Sequence, residues 1–251
     1  MSKLSRVENA QVVIDVHWVK SMLDVYDVGG ARWTELLELA REANQPGWWR
    51  EYGLGVESMA RISLPGSFYL GLEAEATRVQ EYTSGFVSGL MQTADYARAL
   101  MQAVPITRTA SQVETLVAAR MHRQRRLTST DNPLVLVAAV EEGVLHRPVG
   151  GPDVLRAQLR HTADLAELDT VTLHVLPSGI GAHAALASGF TILHFGAMGE
   201  PDIAYVEHAL GAVTLEKGSD VAQAKRNFES VLADALDPAQ SLALIHQLAL
   251  Q

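Results

Sequence analysis

The side chains able to carry a proton near neutral pH are histidine and, where burial or neighbours tune them, carboxylates. In this chain they stand beside other polar groups in a few segments. His183 follows the glycine-broken stretch Gly179-Ile180-Gly181, Glu142 follows an apolar run, and Tyr205 precedes Glu207-His208. His183, Glu142 and Tyr205 are therefore the candidate catalytic groups. Met91-Gln92-Thr93 with Tyr96 mixes apolar and hydrogen-bonding groups after a glycine-containing break. Such mixtures line small-molecule pockets and also describe ordinary helix starts, with Thr93 as a cap. Arg120, Arg123, Arg125 and Arg126 form the densest positive patch. They could bind phosphate, another anion or an acidic partner surface, or pair with Glu residues at a solvated helix end. Glu73, Tyr82, Gln92, Tyr96, Arg120 and Arg123 complete the set as candidate ligand-binding residues.

Other chemistries are disfavoured. His174, His183 and His194 fall on or near predicted strands where three imidazoles could converge, but their spacings match no ligand motif, so satisfied histidines are favoured over a metal site. Glu207-His208 could act as paired bases, or be a surface carboxylate beside a ring. There is no cysteine, hence no thiolate metal site, disulfide or cysteine nucleophile. Gly150-Gly151 and Gly179-Ile180-Gly181 do not fit a phosphate-binding glycine loop, and neither a Gly-x-Ser-x-Gly elbow nor a His-Glu-x-x-His helix occurs. No cofactor and no metal are expected.

The elements that must position these residues follow from periodicity. Val12, Val13, Val16, Val19, Leu23 and Tyr26, then Trp33, Leu36, Leu37 and Ala40, recur at helical steps, with Gly29-Gly30 between two helices and a stop near Gln45-Pro46-Gly47. Trp48, Trp49 and Tyr52 are predicted to be buried against the next domain. Ser67 to Glu81 reads as one long helix through Tyr69, Leu72, Ala76 and Val79. Helices are also predicted over Gln92–Val104, Ser111–Leu127, Val154–Glu167, Asp220–Leu236 and Ala239–Leu250. Leu134–Val140, Val171–Leu176, Phe190–Phe195, Ile203–His208 and Gly211–Leu215 read as strands. The class is α+β: helices first (1–52), then a mixed helix and antiparallel-sheet domain (53–251).

With 251 residues, 48% hydrophobic and 20% charged, the chain can bury a sizeable core. Its apolar runs are far shorter than the ~20 residues of a membrane span, and no signal-peptide pattern opens it, which points to a cytoplasmic location and no membrane partner. The net charge of −9 disfavours nucleic acid unless cations are gathered on one face.

Several motifs together carry a resemblance. Ser2 to Asn9, Val19 to Tyr26, Leu39 to Ala43 and Trp48-Trp49 resemble the second half of the helix-turn-helix in XRE-type transcription regulators of actinomycetes. The remainder is similar to the uncharacterised carboxyl-terminal domain of that family. It shares Tyr69-x-x-Leu72-Glu73-x-x-Ala76, Gly89-Leu90-Met91-Gln92-Thr93, Tyr96-Ala97-Arg98-Ala99, Arg120-x-x-Arg123-Gln124, Glu142-x-x-Leu145, Gly150-Gly151, Gln158-Leu159, Val171 to Pro177, Gly181-x-His183, Gly189-Phe190 and Tyr205-Val206-Glu207. The resemblance implies a sensor or partner-binding module, with a small companion protein as one possible partner.

Two departures touch function. The segment Lys3 to Asn9 resembles a recognition helix but is met without the scaffold helices that would hold it in a groove. Ala10 and Ser88 replace a glycine and a proline usual in the family. Residues 1–50 hold six basic and seven acidic side chains, a balance of −1, whereas a DNA-reading arm should be basic. The expectation is a regulator-derived protein that binds a small molecule or a companion protein, lacks autonomous DNA binding and could form a homodimer. The alternatives are a repurposed enzyme of secondary metabolism, doing cyclisation or proton-transfer chemistry, and a DNA-binding regulator whose true start lies upstream.

Overall fold

A computed structural model describes residues 15–42, 47–52, 67–103, 108–196, 200–208 and 211–250. The chain divides into two compact units, Met1–Arg50 and Glu51–Gln251. In the first, α1 (Val16–Val25) and α2 (Gly30–Glu42) form a helix pair with Leu23, Leu37 and Ala40 buried. Asp15 caps α1 by accepting from the His17 amide. The turn between the helices takes positive φ at Asp27 (53°) and Gly30 (64°), a conformation that explains the glycine there. Trp33 Nε1 donates to Asp24 Oδ1 at 3.2 Å, tying the two helices together. The predicted recognition-like segment Lys3 to Asn9 lies outside the described residues.

The second unit is built on a six-stranded sheet of order β3-β2-β1-β4-β5-β6, the strands being β1 (Arg78–Thr83), β2 (Val135–Glu141), β3 (Val171–Leu176), β4 (Phe190–His194), β5 (Ile203–His208) and β6 (Gly211–Leu215). The strand β1 corrects the sequence expectation: the helix predicted over Ser67–Glu81 stops at Glu75 (α3, Ser67–Glu75), and the chain turns at Ala76-Thr77 into the sheet. The sheet is also mixed rather than antiparallel. The strands β1, β2 and β3 run parallel, and β4, β5 and β6 then add as an antiparallel meander on the other side of β1. Parallel pairing needs long crossovers. The chain supplies them as α4 (Ala94–Ala103) with α5 (Ala110–Gln124) between β1 and β2, and α6 (Glu142–Leu145) with α7 (Pro152–Ala166) between β2 and β3.

Both faces of the sheet are covered, which is why β2 reads as a continuous apolar run. One face, with Val79, Leu136, Ala138, Val140, Leu173 and Leu193, packs against residues such as Tyr69 of α3, Tyr96 and Leu159 of the crossover helices, and Ile245 of the last helix, α9 (Pro238–Leu248). The opposite face, with Tyr82, Val137, Ala139 and Ile192, receives Phe228 and Val231 of α8 (Gly218–Asp234). Local signals set the helix starts. Thr109–Gln112 and Asp237–Gln240 form capping boxes at α5 and α9, and Pro152 opens α7 after Gly151 at φ 97°.

Candidate functional site

Because β1, β2 and β3 are parallel, the residues that follow them emerge along one edge of the sheet. Ser84, Glu141 with Gly143, and Pro177 with Ser178 come from these three strand ends, and with Arg147, Ile180, Gly181, His183 and Leu186 they line a cleft of about 340 Å³. The strand order turns back at β1, and the crevice outside the carboxyl ends of parallel strands near such a reversal is where open α/β sheets bind ligands.

The cleft holds a carboxylate in a particular state. Tyr82 Oη donates to Glu141 Oε1 at 2.6 Å, and His183 Nε2 lies 3.0 Å from the same oxygen. The Tyr82 ring is fully buried and meets the His183 ring edge to face at 5.8 Å. Burial first, then the hydrogen bond to Glu141 and its charge, push the Tyr82 hydroxyl well above the usual phenol range, so it stays a donor. His183 Nδ1 accepts from the Ala185 amide at 3.3 Å. His183 Nε2 is buried and makes no well-directed hydrogen bond, since its approach to Glu141 is close but misaligned. At the rim, Arg147 donates to the Gly85 carbonyl at 2.8 Å, and Glu142 accepts from the Ser178 amide at 2.8 Å, bracing the loop after β3.

The remaining candidates assemble on the opposite face of the sheet, in a buried polar network. Arg123 makes a two-pronged ion pair with Glu73, Nε to Oε1 at 2.8 Å and Nη2 to Oε2 at 2.6 Å, and both side chains are buried. Burial pulls the Arg123 guanidinium down, but the Glu73 charge and hydrogen bonds outweigh it and hold it above the usual range. Arg120 donates to Gln92. Burial first, then the neighbouring Arg123, lower Arg120 to about 9. Burial raises the Glu81 carboxyl, which accepts from Ser88. The Tyr205 ring packs tilted against Tyr69, with centroids 4.5 Å apart. Thus His183 lines the cleft, while Glu142 braces its margin and Tyr82 lies beneath it. Glu73, Gln92, Arg120 and Arg123 share the buried network, and Tyr205 packs on Tyr69 on that same face.

That network holds the segment after β1. Gln92 donates to the Val87 carbonyl at 2.6 Å, Gln124 to the carbonyls of Gly89 (3.1 Å) and Gln92 (2.7 Å), and Gln158 to that of Met91 at 2.7 Å. Tyr96 Oη accepts from the Val87 amide at 3.3 Å. Three of the four patch arginines are thus not at a solvated helix end: Arg120 and Arg123 are 4% and 6% exposed, and Arg126 donates to the carbonyls of Glu73 and Ala76, while Arg125 is exposed. The three strand histidines do not converge either. His174 Nδ1 faces the Leu236 carbonyl and His194 faces Asp202 and Gln80, and the described residues contain no group of three potential metal ligands.

Residues 67–247 match the family model described as a domain of unknown function, DUF5753. The chain belongs to the DUF5753 family. The match spans both the network and the cleft, and it accounts for the carboxyl-terminal part of the sequence resemblance. No curated protein and no solved structure matches this DUF5753 chain. Sequence reasoning missed Glu141 and Glu81, and it met Ser88 only as a departure from the family pattern and Gln124 only as part of a motif. The signal for Glu141 was available as a carboxylate directly at the end of a buried strand, but its meaning depends on β1–β3 being parallel. No described helix is long and apolar enough to cross a membrane.

Proposed function

We propose that this DUF5753 chain is a small-molecule-binding module, regulator-derived, whose ligand seats in the cleft at the ends of β1, β2 and β3, and that it does not grip DNA on its own. The observation that supports the reading is a buried polar nitrogen, His183 Nε2, without a well-formed hydrogen bond beside the half-open Glu141 carboxylate in a cavity of ligand size. Buried polar groups are nearly always satisfied, so an exception at a cleft marks a place where another molecule supplies the partner. The −1 balance of the first fifty residues and the overall −9 support the absence of autonomous DNA binding. The adjacency of Tyr82, Glu141 and His183 favours one second reading, an enzyme using the same cleft for proton transfer, distinguished by turnover of the compound that binds.

The test is a thermal-shift screen of metabolites against the wild type and Gly143→Trp. Gly143 lines the cleft and a Cβ there meets nothing within 4 Å, so a bulky side chain at this position starts from open space at the cleft wall. Compounds that raise the melting point of the wild type but not of the plugged variant support the reading, since a ligand specific for the folded state adds about 2.7 kcal/mol at a hundred times its Kd. Equal shifts in both proteins, or salt-sensitive capture of duplex DNA by the wild type, overturn it.

A further inference from the structure

The charge arrangement around Glu141 defines the head group of the ligand, an argument that rests on the cleft being the binding site. Glu141 Oε1 faces both the Tyr82 hydroxyl and His183 Nε2, while Oε2 engages no donor among the described residues. No Lys or Arg side chain lies within 4.0 Å of this carboxylate among those residues. The nearest nitrogen, His183 Nε2, approaches Oε1 and leaves Oε2 free. The Glu141 side chain is only 20% exposed, so water screens it incompletely. A partly desolvated carboxylate with an idle oxygen and no Lys or Arg partner is a receptor for a cation.

The other candidates for the head group fit less well. An anion would be repelled by Glu141, and the one fixed cation of the lining, Arg147, is exposed at the rim and already donates to the Gly85 carbonyl. A metal ion would find one carboxylate and no group of three ligands among the described residues. The apolar part of the wall is Pro177, Ile180 and Leu186, and Leu186 is 61% exposed. Exposed apolar side chains gathered at a cleft are suited to an organic body rather than to a bare ammonium ion.

We infer that the cleft takes a small organic amine, its protonated nitrogen on Glu141 Oε2 and its apolar body against Ile180, Leu186 and Pro177. The test uses the full chain and three probes of one shape, benzylamine, benzyl alcohol and benzoate, followed by amide chemical shifts in a titration at neutral pH. Benzylamine should move the resonances of Ser84, Gly143, Ser178 and Gly181 saturably. The alcohol and the carboxylate should bind at least roughly tenfold more weakly, the interval between charge-assisted and neutral hydrogen bonds. In Glu141→Gln, whose amide oxygen still accepts from Tyr82, benzylamine should weaken by about the same factor.

Equal binding of the three probes at these residues, or unchanged benzylamine affinity in Glu141→Gln, sinks the amine assignment and leaves the cleft standing as a binding site. If none of the probes moves these resonances at tens of millimolar, the amine and the small-molecule reading of the cleft fall together. Should Glu141→Gln fail to fold, Gly143→Trp takes its place: benzylamine shifts that persist in it place the probe elsewhere and refute the assignment.

Discussion

Replacing Glu73 by alanine tests whether the buried network is structural. Glu73 and Arg123 meet through two short hydrogen bonds, and their side chains are 6% and 5% exposed. Removing the carboxylate leaves a guanidinium with Arg120 as its close like-charged neighbour and Glu81 as its remaining internal counterion. Breaking one side of a buried pair costs about 3–5 kcal/mol, because the orphaned charge keeps its desolvation penalty. At about 2–4 °C per kcal/mol for a body of this size, the melting point should fall by roughly 6–20 °C. Replacing both partners with apolar residues of similar size, Glu73→Leu with Arg123→Met, should recover most of the loss, since burial of the hydrocarbon carries no charge penalty. Urea denaturation followed by circular dichroism on Glu73→Leu, Arg123→Met and the double variant closes the cycle. A loss below about 1 kcal/mol in Glu73→Ala would mean that Arg123 finds water or another anion, and that the pair faces a ligand rather than the core.

Three further outcomes rest on the same geometry. Tyr82→Phe keeps the buried ring but deletes the donor to Glu141, so urea denaturation should show a loss of about 1.5–3 kcal/mol, as for hydrogen bonds to charged groups; a loss under about 0.5 kcal/mol would show the carboxylate to be satisfied without Tyr82. Gly189→Ala places a Cβ 2.8 Å from the Tyr82 carbonyl oxygen, backbone that cannot swing away; β1 and β4 must separate, with an expected cost of about 1–3 kcal/mol in thermal melting, and an unchanged melting point would refute the contact. Burial, only partly opposed by Asp202, holds the His194 imidazole below its ordinary value of 6.5. The unfolded chain therefore binds the proton more readily, and this contribution to stability, complete above pH 6.5, is lost as pH falls toward the folded value. His122 and His161 are lowered in the same sense by burial. Melting points should drop between about pH 7 and pH 5, and His194→Asn should flatten that slope; an unchanged slope would exclude His194 as a contributor.

Most of the fold was legible in the residues. The five strands from Val135 onward sit where apolar runs or alternation are bounded by Pro and Gly, and a two-sided apolar run announces a buried strand. The strand β1 was not legible, for a physical reason. Its residues Arg78, Gln80 and Glu81 are polar although the strand is central, because Gln80 bonds His194 on one face and Glu81 bonds Ser88 on the other. Tertiary partners replace the apolar signal there, and the helical stripe Tyr69, Leu72, Ala76 and Val79 runs unbroken across the turn that ends α3. The cleft was half legible. His183 and the neighbouring Glu142 stood out by residue type, whereas Glu141 gains its position only from the parallel register that sets it opposite Leu176 at the ends of β2 and β3. Arg120 and Arg123 fall at the end of a basic helix in the sequence, and nothing local tells that end from a solvated one.

The two polar assemblies on opposite faces of the sheet are mechanically joined through the segment after β1. Its carbonyls at Val87, Gly89, Met91 and Gln92 each accept from a glutamine side chain, and its start carries Ser84 and Gly85, the first lining the cleft and the second receiving Arg147. A connection held this way cannot relax one residue without leaving a buried carbonyl unsatisfied, which costs about 1–3 kcal/mol each time. The groups around Gln92, Arg123 and Gln158 therefore fix one wall of the cleft from the far side of the sheet. A change in the network, such as Gln158→Leu, should for that reason loosen the placement of Ser84 and Gly85 and weaken ligand binding while Glu141, Tyr82 and His183 keep their mutual geometry. Amide hydrogen exchange confined to residues 84–93 is the readout that separates this wall-positioning role from direct contact.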